Sequence, residues 1–212
     1  MTAHVSHVLR SDARDNRARI LAAARTVFAE AGLGAPVREV ARRAEVGPAT
    51  LYRHFPTKRE LIHAAYADQR RACREVVRDA LADADPWRGF RGVVTRICEL
   101  HAHSRGFADV FAAAFPEAMD FAADREQTLR AVGELTRRAQ RTGALRPDFV
   151  VDDLILMLMA HRGAQDAPPA VRLAASRRFA AYVIEAFRAA PPSPPLPRAP
   201  RLHAGPPRAG GS

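Results

Sequence analysis

Two apolar helical stripes meet across three residues, and that spacing limits the possible folds more than any other feature of the chain. Val37, Val40, Ala41 and Ala44 recur at i, i+3, i+4 and i+7, one face of a helix. Pro36 suits the start of that helix, because its fixed φ fits and its missing N–H would be unpaired there anyway. The pattern stops at Glu45-Val46-Gly47, where Gly47 is placed to cap or turn the chain. Pro48 opens a second, short helix over about Pro48 to His54. Leu51 and Phe55 lie four apart and can pack inward with Val46, leaving Pro48, Ala49, Tyr52 and Arg53 on the outer face. Two helices joined by a glycine-containing turn of a few residues form a helix-turn-helix, whose second helix enters the DNA major groove by its N-terminal residues. Thr57-Lys58-Arg59-Glu60 then forms a capping box: the Thr57 hydroxyl accepts the N–H three residues on, and Glu60 reaches back to the Thr57 N–H. A further helix starts at about Lys58. Its free N–H groups and dipole attract anions, and a lysine there strengthens a phosphate site.

Charge agrees with a polyanionic partner. The net charge is +10, and the first sixty residues hold eleven basic and six acidic side chains, half of that excess. Lys58 is the only lysine among 33 basic residues, so its place at a helix start departs from the chain's own use of arginine. Abundant alanine and few aromatics (7%) favour helices, and 48% hydrophobic residues suffice for a core. Gly and Pro are too sparse for a sandwich or barrel.

The run VGPATLYRHFPTKREL, preceded by RILAAARTVFAEAG and VREVARRA, resembles the TetR (tetracycline-repressor-like) family of bacterial transcriptional regulators. Thr50-Leu51-Tyr52, His54-Phe55 and Lys58 after a Pro-containing turn carry the resemblance, which covers about residues 17–65; Gly143–Asp148 (GALRPD) also looks familiar. It implies an all-α homodimer: an N-terminal three-helix helix-turn-helix domain, followed by a helical bundle for ligand binding and dimerisation. It also implies binding to a double-stranded, pseudo-palindromic operator, relieved by a small-molecule effector. By the family motif Thr50, Tyr52, His54 and Lys58 resemble phosphate contacts, and all can donate to phosphate oxygen. Pro48 and Ala49 align with base-facing positions but carry no side-chain donor. Arg38, opening the preceding helix, is then the candidate for reading guanine by its bidentate fork.

The domain expectations follow. Residues 1–11 form a loose arm, 12–57 the DNA-binding domain, 58–190 the regulatory and dimerisation domain, and 191–212 a disordered tail holding half of all prolines. A helix from about Asp12 to Ala31 ends at Gly32. The fourth helix runs from about Lys58 to Asp83 without a Gly or Pro break and can act as a lever. Asp85 caps the fifth helix, and a short helix follows over about Phe107 to Ala114. The run after Asp152-Asp153 is apolar nearly all round and so expected to be buried on most sides. Pocket candidates are Tyr66, Arg70, Ile97, His101, Phe107, Phe111, Phe115, Met119 and Met157. The family dimerises through its last two long helices, which puts Leu158, His161, Phe179, Tyr182, Val183 and Phe187 on the dimer face.

Other chemistries find little support. Cys98 with His101, or Glu99 with His103, makes half a metal site at most, and nothing completes either, so no metal or cofactor is expected. No nucleophile elbow, Gly-rich phosphate loop or paired-carboxylate motif points to an enzyme. The chain has neither a signal-peptide pattern nor 18 consecutive apolar residues, and a cytoplasmic location is expected. The rival reading is a small-molecule-binding helical protein, or an activator, that does not act by operator repression.

Overall fold

The computed structural model describes residues 2–103, 119–189 and 196–198, with side chains for 14–103, 126–164, 167–168, 170–189 and 196–198. Among them the regular structure is helical, with one isolated β-bridge between Leu145 and Arg188. They divide into two compact units, 2–72 with 119–121 and 73–103 with 122–189 and 196–198.

The first unit holds α1 (Thr2–Ala31), α2 (Val37–Arg43), α3 (Pro48–His54) and α4 (Lys58–Ala65), and α5 (Ala67–Ala82) begins in it. Helix α1 packs on α2 and α4. Ile20, Ala24, Val27 and Phe28 of its inner stripe are buried, as are Val40, Ala41, Leu51, Phe55 and Leu61 facing them. Gly32 closes α1 at φ 73, its N–H bonded to the Phe28 carbonyl at 3.1 Å, as the sequence predicts. The backbone is helical from Thr2, where a loose arm over residues 1–11 is expected. No Gly or Pro interrupts residues 2–31, so nothing in the chain stops the helix from extending.

The α2–α3 turn differs from expectation. Its left-handed residue is Glu45 (φ 54), while Gly47 is extended (φ −67, ψ 149) and serves as the N-cap of α3. The Val46 N–H bonds the Ala41 carbonyl at 3.1 Å and the Glu45 N–H bonds that of Arg42 at 3.2 Å, a Schellman closure. A non-glycine residue in that conformation costs about 1 kcal/mol. Arg19 of α1 supports it: its Nη2 donates to the Ala44 carbonyl at 2.6 Å and to the Glu45 carbonyl at 3.2 Å.

The expected long fourth helix is two helices, broken at Tyr66 (φ −108, ψ 15). Tyr66 is wholly buried, and its packing outweighs the absence of any helix breaker in the sequence. Arginines take carbonyls left open at the break: Arg70 donates to His63 at 3.1 Å and Arg25 to Ala65 at 3.4 Å. The boundary between the units falls at Ala72–Cys73, so α4 belongs to the first, not to the segment starting at 58.

The second unit holds the rest of α5, α6 (Pro86–His103), α7 (Met119–Arg141) from Ala122 on, α8 (Val151–His161), a 3-10 turn (Arg162–Asp166) and α9 (Pro169–Phe187). Asp85 caps α6 as expected, accepting from the Trp87 and Arg88 N–H groups at 3.0 and 3.1 Å. Helices α6 and α9 pack together over Trp87, Phe90, Phe149 and Phe187, whose successive ring centroids lie 4.8 to 5.7 Å apart. Gly89 sits against the end of α5; a Cβ there would meet the Ala80 carbonyl oxygen at 2.5 Å. The 144–146 strip lies along the end of α9, with the Arg146 N–H on the Phe187 carbonyl at 3.0 Å. Of the Pro-rich tail, Leu196 donates its N–H to Asp148 at 2.9 Å. The short helix expected over Phe107 to Ala114 lies outside the described residues.

Candidate nucleic-acid interface

Burying Leu51 and Phe55 fixes which way α3 faces. Pro48, Ala49 and Arg53 are exposed on its other side, and Tyr52 exposes 51% of its surface. Arg38, in the first turn of α2, is exposed and forms no hydrogen bond or ion pair among the described residues. Its neighbours are committed elsewhere: Arg42 to Glu39 at 2.5 Å, Arg43 to Glu30 at 3.1 Å. Arg42 holds the Glu39 carboxyl below its ordinary range. Thr50 is half-buried.

Thr57 caps α4 as predicted, accepting the Glu60 N–H at 3.1 Å, and Glu60 turns its carboxylate to the Thr57 hydroxyl at 3.0 Å. Lys58, one residue on, is half-buried, and that burial lowers its pKa. His54 fits the phosphate role least well. It is half-buried, and its Nε2 is enclosed without a hydrogen-bond partner among the described residues. Pro48, Ala49, Tyr52 and Arg53 thus stand open on α3, as Arg38 does on α2, with Lys58 half-buried at the next helix start. Sequence reasoning missed Arg19, which braces the turn; no period or motif marks a residue 25 positions away.

The pocket candidates fall in different units. Tyr66 and Arg70 serve the α4–α5 break of the first. Ile97, His101 and Met157 are buried in the second. There the Cys98 thiol meets the Met157 sulfur at 3.8 Å, and the His101 and His161 rings lie 6.2 Å apart. Burial, reinforced by His161, pushes His101 down to about 3. Burial also pushes the Cys73 and Cys98 thiols up to about 12, away from the reactive thiolate. Among the described residues no three His, Cys, Asp or Glu side chains are grouped to hold a metal. Phe107, Phe111 and Phe115 lie outside the described residues, as does the side chain of Met119, which opens α7.

Two dimer-face candidates are corrected. Leu158 and His161 are buried in the unit's own core, His161 with its Nε2 2.9 Å from the Ser176 hydroxyl. Phe187 packs on Phe149, and Phe179 lies against His161 at 5.3 Å. Val183 is half-buried and Tyr182 is 60% exposed. Helix α8 is buried on most sides, as expected, and leaves one open stripe of Leu156, Met159 and Ala160. Val171 and Tyr182 are the large exposed apolar residues of α9.

The comparisons with known proteins agree with this architecture. A model of bacterial regulatory proteins of the tetR family matches residues 20–65, and one described as a transcriptional regulator SbtR-like C-terminal domain matches residues 85–183. Among solved structures, a TetR transcriptional regulator of Streptomyces coelicolor is 30% identical, with 82% of this chain and 98% of that one covered and a TM-score of 0.53. The TetR transcription regulatory protein of Mycobacterium vanbaalenii is 32% identical, with 85% and 99% covered and a TM-score of 0.50. The fold is shared as well with a ketosteroid transcriptional regulator of Mycobacterium tuberculosis, 21% identical, with 81% and 94% covered and a TM-score of 0.63. No curated protein matches at a significant level. Among the described residues no helix is long and apolar enough to cross a membrane. With its helix-turn-helix in the first unit and helical second unit, the chain belongs to the TetR family and is a DNA-binding transcriptional regulator.

Proposed function

We propose that this protein is a cytoplasmic repressor that binds a pseudo-palindromic operator as a homodimer and leaves it when a small molecule binds the second unit. The observation that carries the operator reading is the open outer face of α3, together with an exposed Arg38 that has no hydrogen bond or ion pair among the described residues. Arg38 would read guanine, Tyr52, Thr50 and Lys58 would hold phosphates, and Pro48 and Ala49 would offer apolar contact to a thymine methyl. The exposed stripe of Leu156, Met159, Val171 and Tyr182 supports a dimer face on α8 and α9. Two recognition helices set by that dimer would span about one DNA turn, roughly 34 Å. An effector must bind the non-operator form better, or it shifts nothing. Ile97, His101 and Met157 are the candidate contacts for it.

Gel-shift titration against DNA upstream of the protein's own gene, at several salt concentrations, tests the operator reading. A sequence-selective shift is expected, and its absence would overturn that reading. In the same assay Arg38→Ala should relax discrimination at one base pair by about 1–3 kcal/mol, while Lys58→Ala weakens all sequences alike.

A further inference from the structure

The arginines of the first unit are not equally free to meet DNA. Arg19, Arg25 and Arg70 hold backbone carbonyls, and Arg42, Arg43 and Arg71 are paired with Glu39, Glu30 and Asp68. Arg53 is exposed and has neither a hydrogen bond nor an ion pair among the described residues. It stands four residues after Ala49 on the seven-residue α3, so the two share the outer face one turn apart. Side chains on a helix lean toward its N terminus and cover the turn before their own Cα. Arg53 therefore leans over Ala49, whose methyl group leaves that path open. The place it leans toward is the end of α3 where Pro48 and Ala49 supply no donor.

We infer that Arg53 is a base-reading residue, donating from its guanidinium fork to guanine O6 and N7, and that the small side chain of Ala49 is what gives it access. The inference rests on α3 being the recognition helix. It assigns operator specificity to two arginines, Arg38 from α2 and Arg53 from α3.

The test begins with a randomised duplex pool enriched by the full-length wild-type chain, followed by affinities for the consensus duplex and its single-pair variants. Arg53→Ala should cease to select one G·C pair and should bind the consensus roughly 5- to 150-fold more weakly. Replacing that pair in both half-sites should cost the wild type the same factor and cost Arg53→Ala nothing further. Arg53→Lys should lose the preference too, because an ammonium lacks the planar fork. Ala49→Leu, which fills the path, should weaken the same preference. Arg53 is exposed and unpaired, so helicity and thermal midpoint should match the wild type. The inference is overturned if Arg53→Ala weakens every duplex by one common factor with a shallower salt dependence, the behaviour of a phosphate anchor. It is also overturned if Arg53→Ala binds as the wild type does. A wild-type chain that enriches no sequence would overturn the operator reading itself, and this inference with it.

Discussion

The two units share one bracing device and differ in what the second adds to it. In the first, guanidinium groups take carbonyls that helix ends leave open: Arg19 at Ala44 and Glu45, Arg70 at His63, Arg25 at Ala65. In the second, Arg138 at Leu81 and Asp83, Arg146 at Ala186 and Arg172 at Ala167 do the same, and close packing is added. Gly89 meets the backbone of α5, four aromatic rings pack in sequence, one pair stacked and two edge to face, and two histidines are sealed in the core. The difference separates charge from availability. In the first unit three arginines hold backbone carbonyls and three more are paired with carboxylates, so net charge overstates how many side chains are free to touch DNA.

The sharpest way to break this comparison is to crowd the second unit. Gly89→Ala should destabilise the protein by about 3 kcal/mol, because its Cβ would meet a backbone oxygen that cannot rotate away. Gly47→Ala, with nothing within 4 Å, should change stability by no more than roughly 0.5 kcal/mol. Denaturant unfolding of both variants decides; a tolerated Gly89→Ala would remove the contrast.

Acidification should come next in size. An unfolded histidine titrates near 6.5, while folded His101 resists protonation until about 3. Between those values the unfolded chain binds more protons, so stability falls as pH is lowered through 6.5. The loss from His101 should reach about 2 kcal/mol at pH 5. His161, also lowered by burial, should add in the same direction. His101→Gln should flatten the slope of unfolding free energy between pH 7 and 5; an unchanged slope would exclude the buried pair as its source.

The smallest effect belongs to the first unit. Arg19→Ala should cost about 1–2 kcal/mol by releasing the Ala44 and Glu45 carbonyls. Hydrogen exchange should show α3 loosening before α1. Loss spread evenly over the unit would mean that Arg19 does not brace the turn.

Local rules carried much of the fold. The stripe Val37, Val40, Ala41 and Ala44, the Thr57 and Asp85 caps and the Gly32 stop are all where spacing placed them, because each depends on residues within one or two turns. The exposure of Tyr52 and Arg53 was legible for the same reason, since burying Leu51 and Phe55 fixes the opposite face. The Tyr66 break was not legible: no breaker stands there, and it depends on how the buried ring packs. Leu158 and His161 were misplaced because α8 is apolar nearly all round, and periodicity cannot say which side of such a helix a neighbour covers.

The sequence by itself determined an all-helical chain with a helix-turn-helix, a capped helix after it and an outer face holding Pro48, Ala49, Tyr52 and Arg53. Tertiary structure alone decided which arginines stay free and that Glu45 rather than Gly47 takes the left-handed turn. It also decided which stripe of α8 remains open. Those outcomes depend on groups far apart in the chain, such as Arg19 and Ala44 or His161 and Ser176, and their meeting is set by packing rather than by local preference.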